Sequence, residues 1–105
     1  MTNHVLPIEG MTIASEGDVL DIIGELYGTG HDTVVIPVAR LGSDFFRLGN
    51  GLAGAMLQKF TNYRLKVLIV GDISAYTEKS GPLRDFVRES NRGAQVRFLG
   101  SEAEL

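Results

Sequence analysis

The sequence has no cysteine, no tryptophan and only two histidines. Without cysteine there is no disulfide framework, no thiolate metal site and no cysteine nucleophile. That absence fits a reducing compartment, and a cytoplasmic location is the expectation. His4 and His31 each lack a second His or Cys at a ligand spacing nearby, so both read as solvated surface residues and no metal is expected. With no placed histidine, a serine triad has no evident base. Long apolar runs are missing too. The most apolar stretch, Val67–Val70, is far short of the roughly 20 residues that a membrane span needs. The start, Met1-Thr2-Asn3-His4, does not show a secretory signal's basic-then-apolar pattern, and no lipidation motif is visible, so no membrane partner is expected. A surplus of basic residues is also absent. Net charge is −3, which argues against a nucleic-acid partner, whose binders gather Lys and Arg on one face.

What is present is ordinary globular composition, 44% hydrophobic and 22% charged, in a length that suits one domain over residues 1–105. Apolar runs alternate with helical patterns. Val5 to Glu9 reads as a short edge strand because of Pro7, and Met11 to Ala14 as a second extended piece after Gly10. Ser15 and Asp18 open a helix whose stripe is Val19, Ile22, Ile23, Leu26 and Tyr27, closed by Gly28 and Gly30. Thr33 to Val38 is a strand buried on both faces, with Pro37 near its end. Asp44 is a candidate cap for the next helix, with stripe Phe45, Leu48, Leu52, Met56, Leu57 and Phe60. Gly49, Gly51 and Gly54 imply a start as late as Asn50, or a close backbone approach.

Leu65 to Val70 is the next buried strand, followed by a loop through Ser74, Tyr76 and Lys79. Ser80-Gly81-Pro82 opens a helix with Leu83, Phe86 and Val87 inward, and Asn91-Arg92-Gly93 closes it with a left-handed glycine. Gln95 to Leu99 is the last strand, and the capping-box spacing of Ser101 and Glu104 suggests a short final helix. The order β-β-α-β-α-β-α-β-α implies an α/β fold with a mixed, mostly parallel sheet and packed helices.

Gly49-Asn50-Gly51-Leu52-Ala53-Gly54 matches G-x-G-x-x-G, but ten residues, Ala39 to Leu48, separate it from its strand. A dinucleotide fingerprint needs its first glycine directly after the strand, so no cofactor is expected. Asp85 and Glu89 lie among Arg84, Arg88 and Arg92, the pattern of a salt-bridged solvated face. In a parallel sheet the loops after the strands meet at one end. Arg40, Ser43, Asn50, Gly51, Asp72, Ser74 and Tyr76 are expected there, as loop polarity and caps or as a site for an anion or a partner.

Two resemblances bear on these residues. Gly51-Leu52-Ala53-Gly54, Leu57-Gln58-Lys59-Phe60-Thr61-Asn62-Tyr63-Arg64, Val70-Gly71-Asp72, Leu83-Arg84-Asp85-Phe86 and Glu89-Ser90-Asn91-Arg92-Gly93 together resemble the bacterial domain-of-unknown-function 4180 family over roughly residues 15–100. Asn50, Ala55 and Arg88 depart from its pattern, standing where Thr, Glu and Tyr are usual. More distantly, the element order resembles the STAS fold of anti-sigma-factor antagonists. That fold carries Asp-Ser-x-Gly with a phosphorylated serine. Here Gly51 takes the glycine, while Leu48 and Gly49 fall on the Asp and Ser, so the hydroxyl is missing. The STAS likeness implies a non-catalytic, regulatory module that docks a protein partner through the second helix, Met56 included, and the loop before it. The alternative is a small-ligand or anion binder, or a weak enzyme, using Arg40, Asp72 and the second helix's start at the C-terminal ends of the parallel strands. A homodimer through an exposed sheet edge or helix face is also compatible.

Overall fold

Every residue of strand β2 (Thr33–Pro37) is buried, as its nearly unbroken β-branched run demands of a strand inside a parallel sheet. In the computed structural model, which describes residues 3–105, this strand lies second in a four-stranded sheet. The order is β1 (Asn3–Val5), β2, β3 (Lys66–Val70) and β4 (Val96–Leu99), all parallel. The described residues also form helices α1 (Glu16–Leu26), α2 (Leu52–Asn62), the single turn α3 (Ser74–Thr77) and α4 (Gly81–Arg92). The fold is α/β with a wholly parallel sheet.

Strands that neighbour each other in sequence order, joined by crossovers of one hand, put every connecting helix on the same face. Side-chain parity shows this. Val34, Ile36, Val67, Ile69 and Phe98 share the main core with Val19 and Ile23 of α1, Met56 and Phe60 of α2, and Leu83 of α4. The alternate residues Val35, Val70 and Leu99, with Leu68 against them, form a second cluster that contains no helix residue. The described residues therefore form two layers, and among them one face of the sheet carries no α-helix. Register sets three rows on that face: Asn3, Thr33 and Lys66; then Val5, Val35, Leu68 and Arg97; then Pro37, Val70 and Leu99.

Local chemistry fixes the element ends. Ser15 Oγ accepts from the Asp18 N–H at 3.2 Å while Asp18 Oδ2 accepts from the Ala14 N–H at 2.8 Å, a reciprocal cap on α1. Ser80 Oγ caps α4 through the Leu83 N–H, with Pro82 in the first turn. Gly71 ends β3 at φ 142°, and a Cβ there would lie 2.9 Å from the Val38 side chain, so glycine is required on both counts. The outer edge of β4 is closed by its own neighbour. Asn91 Oδ1 accepts from the Phe98 N–H at 2.7 Å, and Asn91 Nδ2 donates to the Phe98 carbonyl at 3.3 Å. One amide thus occupies both edge groups of Phe98 that another strand would use.

Several expectations need correction. The first strand stops at Val5, with one more ladder bond from the Leu6 N–H to the Val35 carbonyl, because the next donor would be residue 37 of β2, and Pro37 has no N–H. Met11 to Ala14 contributes only a bridge between Ile13 and Leu41. Asp44 caps no α-helix. The chain makes 3-10 turns at Val38–Arg40, Ser43–Phe46 and Leu48–Asn50, and α2 begins at Leu52, late as the glycines imply. Phe45 and Phe46 reach the core from a turn instead of a helical stripe. The expected loop at Ser74 is the turn α3, the final helix is a 3-10 turn, Glu102–Glu104, and Gly93 is extended at φ −95°. Tyr27, placed on the apolar stripe, is 90% exposed because α1 ends at Leu26.

Asn91→Ala is expected to destabilise the fold by about 1–2 kcal/mol in chemical denaturation and to speed exchange of the Phe98 amide. Unchanged stability and exchange would mean that water serves the β4 edge equally well.

Candidate functional site

The residues expected at the ends of the strands do not converge on one centre. Arg40 closes the 3-10 turn after β2, and its guanidinium points back across the chain. Nε donates to the Met11 carbonyl at 2.9 Å and Nη1 to the Pro7 carbonyl at 3.0 Å. A Cβ at Gly10 would lie 2.7 Å from Arg40 Cζ, so the loop lies flat against the guanidinium only because residue 10 is glycine. Arg40 is thus a staple for the loop of residues 7–11, and two of its donors are already committed.

Asn50 and Gly51 form the entry to α2. Asn50 Nδ2 donates to the Asp44 carbonyl at 3.0 Å, and Oδ1 accepts from the Leu52 N–H at 2.9 Å. Gly51 takes the left-handed conformation, φ 74°, that turns the 3-10 segment into the helix. Met56 is buried in the main core, so its side chain presents no docking surface. The spacing that puts it on the stripe with Leu52 and Phe60 turns it inward. The outward side of α2 carries Gln58 and Asn62, which hydrogen-bond to each other at 2.9 Å.

Asp72 and Ser74 meet at the end of β3. Asp72 Oδ1 accepts from the Ser74 N–H at 2.9 Å, an Asx turn that starts α3. That backbone bond, followed by one from the Ser74 side chain, holds the Asp72 carboxyl below its ordinary value of 3.8. Both residues line a cleft of about 310 Å³ between the ends of β3 and β4, floored by Val87, Phe98 and Leu99.

Ser43 and Tyr76 come together elsewhere. The Tyr76 ring stacks on Phe46 with centroids 4.3 Å apart and planes 13° apart, tying α3 to the 3-10 turn before α2. Between these two walls lies a groove of about 350 Å³ lined by Ser43, Arg47, Tyr76, Lys79 and Ser80. Arg47 pairs with Asp44 at 3.5 Å in an exposed contact of the kind that contributes little. Lys79 forms no ion pair among the described residues. The sequence had pointed to Ser43 and Tyr76 but not to Arg47, Lys79 or Ser80. Their visible signal was two cations and one hydroxyl in the segments flanking the strand ends.

The histidines, expected to be separate and solvated, are half-buried neighbours with ring centroids 5.5 Å apart. Among the described residues, His31 Nδ1 is the one buried side-chain N or O atom with no hydrogen-bond partner. No group of three or more His, Cys, Asp or Glu among the described residues could hold a metal ion, and no described helix is long and apolar enough to cross a membrane. Asp85 and Glu89 pair with Arg88 and Arg92 on the exposed side of α4.

Met56→Ala is expected to lower stability by about 2–5 kcal/mol, whereas Gln58→Ala on the outer side stays within about 0.5 kcal/mol, both read by urea denaturation. Asp72 is expected to titrate below 3.8 by carboxyl-carbon NMR, with the Ser74 amide shift following it. Its folded value lies below its unfolded one, so its stabilisation is complete above about pH 5 and is lost as pH falls through the folded value. A midpoint at or above the ordinary value would contradict the Asx-turn assignment.

Comparison with known proteins adds one positive finding. No curated protein and no solved structure matches the chain significantly. A family model described as "Domain of unknown function (DUF4180)" matches residues 2–105. The likeness expected over residues 15–100 therefore extends over nearly the whole chain, which belongs to the DUF4180 family.

Proposed function

We propose that this chain is a non-catalytic, regulatory binding module that docks a protein partner through the loop preceding α2, at the groove shared with α3. The supporting observation is the groove of Ser43, Arg47, Tyr76, Lys79 and Ser80, walled by the stacked Phe46 and Tyr76 rings. Its two cations and three hydroxyls suit an acidic or phosphorylated side chain of the partner, and the aromatic wall gives that contact a rigid apolar flank. This moves the docking surface expected for α2 onto the turns before it, since the apolar stripe of α2 is already used by the core. The polar groups of Arg40, Asn50 and Asp72 are engaged with backbone, which supports positioning roles for them. A cytoplasmic setting is part of the same proposal and fits the absence of cysteine.

Affinity capture from host lysate, quantified by mass spectrometry, tests it with wild type, Arg47→Glu, Lys79→Glu and the control Arg88→Glu. One partner retained by wild type and the control, and reduced about ten-fold or more by both groove variants, is the expected result. Equal recovery from all four proteins, or none above background, would contradict it. The small-anion alternative has its own readout. Phosphate at about 100 times its dissociation constant would add roughly 2.7 kcal/mol to wild type and not to Lys79→Glu.

A further inference from the structure

The helix-free face of the sheet is neither bare nor uniformly polar. Strand parity puts Lys66 at the start of β3 and Arg97 on β4 on this same side, two residues out of register on adjacent strands. Ordinary strand geometry separates their Cα atoms by roughly 8 Å, close enough for both side chains to reach one anionic group. Both residues are exposed, and neither forms an ion pair among the described residues, although the chain as a whole is acidic. Beside them is a groove of about 260 Å³ whose apolar surface comes from Leu68, Leu99 and Leu105. The one carboxylate side chain among its described residues, Glu104, turns toward the backbone, where Oε2 accepts from the Ser101 N–H at 2.9 Å.

We propose that this face binds a small organic carboxylate with an apolar body, its carboxylate held between Lys66 and Arg97 and its body lying on Leu68, Leu99 and Leu105. Three observations select that occupant. The groove is smaller than the roughly 300–1,000 Å³ of pockets for drug-sized ligands, so the body must be short. The cations Lys66 and Arg97 call for an anionic group, and the apolar lining gives one with an apolar body contacts that inorganic phosphate lacks. Third, a second copy of this chain is a poor occupant, because two-fold pairing would set Lys66 and Arg97 against their own counterparts. The site shares no lining residue with the groove of Ser43, Tyr76 and Lys79, so the two proposals succeed or fail separately.

The test is a backbone-amide NMR titration of the full chain with octanoate, octan-1-ol and inorganic phosphate. Octanoate is expected to give saturable shifts centred on Leu68, Arg97 and Leu99, with a dissociation constant of about 1 mM or below. Lys66→Gln/Arg97→Gln, both exposed and expected to keep a dispersed spectrum, weakens it about ten-fold or more, and Lys79→Gln leaves it unchanged. Octan-1-ol binds about ten-fold more weakly and phosphate does not bind. The proposal is overturned if octanoate gives no saturable shifts, or if the double variant or octan-1-ol matches the wild-type octanoate affinity. It is equally overturned if phosphate matches octanoate, or if Lys79→Gln abolishes the binding.

Discussion

The rest of the structure depends on one constraint: four parallel strands lie in the sheet in their sequence order, so every crossover helix falls on one side. Each strand residue then belongs to one of two environments by parity alone. Odd and even positions of β2 differ in kind: Val34 and Ile36 meet helices, whereas Thr33, Val35 and Pro37 do not. The helix layer also decides where the ends of the strands can be used. Phe46 and Tyr76 pack against the core and hold the turn before α2 beside α3, which opens the groove between them. Meanwhile the other face is left to short side chains that shield one another and to two cations that form no ion pair among the described residues.

The same economy shows at the sheet's margins. β1 is only three residues long and Pro7 beyond it offers no N–H on the outer side, while β4 is sealed at Phe98 by Asn91 from α4. Both devices discourage edge-to-edge pairing. Arg40 plays a comparable part for the loop of residues 7–11, replacing strand pairing with two side-chain hydrogen bonds to carbonyls. Polar residues that look like a ligand site in the sequence are in these cases the fastenings of irregular backbone.

That last point explains what the sequence could and could not disclose. The apolar runs at 33–38 and 65–70 and the stripes of α1 and α4 were legible because burial on one face or two leaves a period that survives in the letters. The caps Ser15 and Ser80 were legible because their partners lie three residues away. The three 3-10 turns between Val38 and Asn50 were not, since Phe45 and Phe46 carry an apolar spacing that a helix and a succession of turns share. Among the site residues, strand-end placement was predictable from topology. Side-chain direction was not, and it separates Arg40, engaged with Met11 and Pro7, from Lys79, which is unpaired among the described residues. Lys66 and Arg97 were in principle findable: each breaks the apolar pattern at a position whose parity points away from the helices.

The central claim is that parity divides the sheet into a helix-packed face and an open one. The chain has no cysteine, so single-cysteine variants report on this without background. Native-state thiol labelling of Lys66→Cys, Arg97→Cys, Val67→Cys and Ile69→Cys compares the two faces within the same strands. The first two are expected to label nearly as fast as in the denatured chain, while the last two stay protected until the protein unfolds. Equal protection at positions 66 and 67, or rapid labelling at 69, would mean that the second face is covered or that the helices do not lie together on the first.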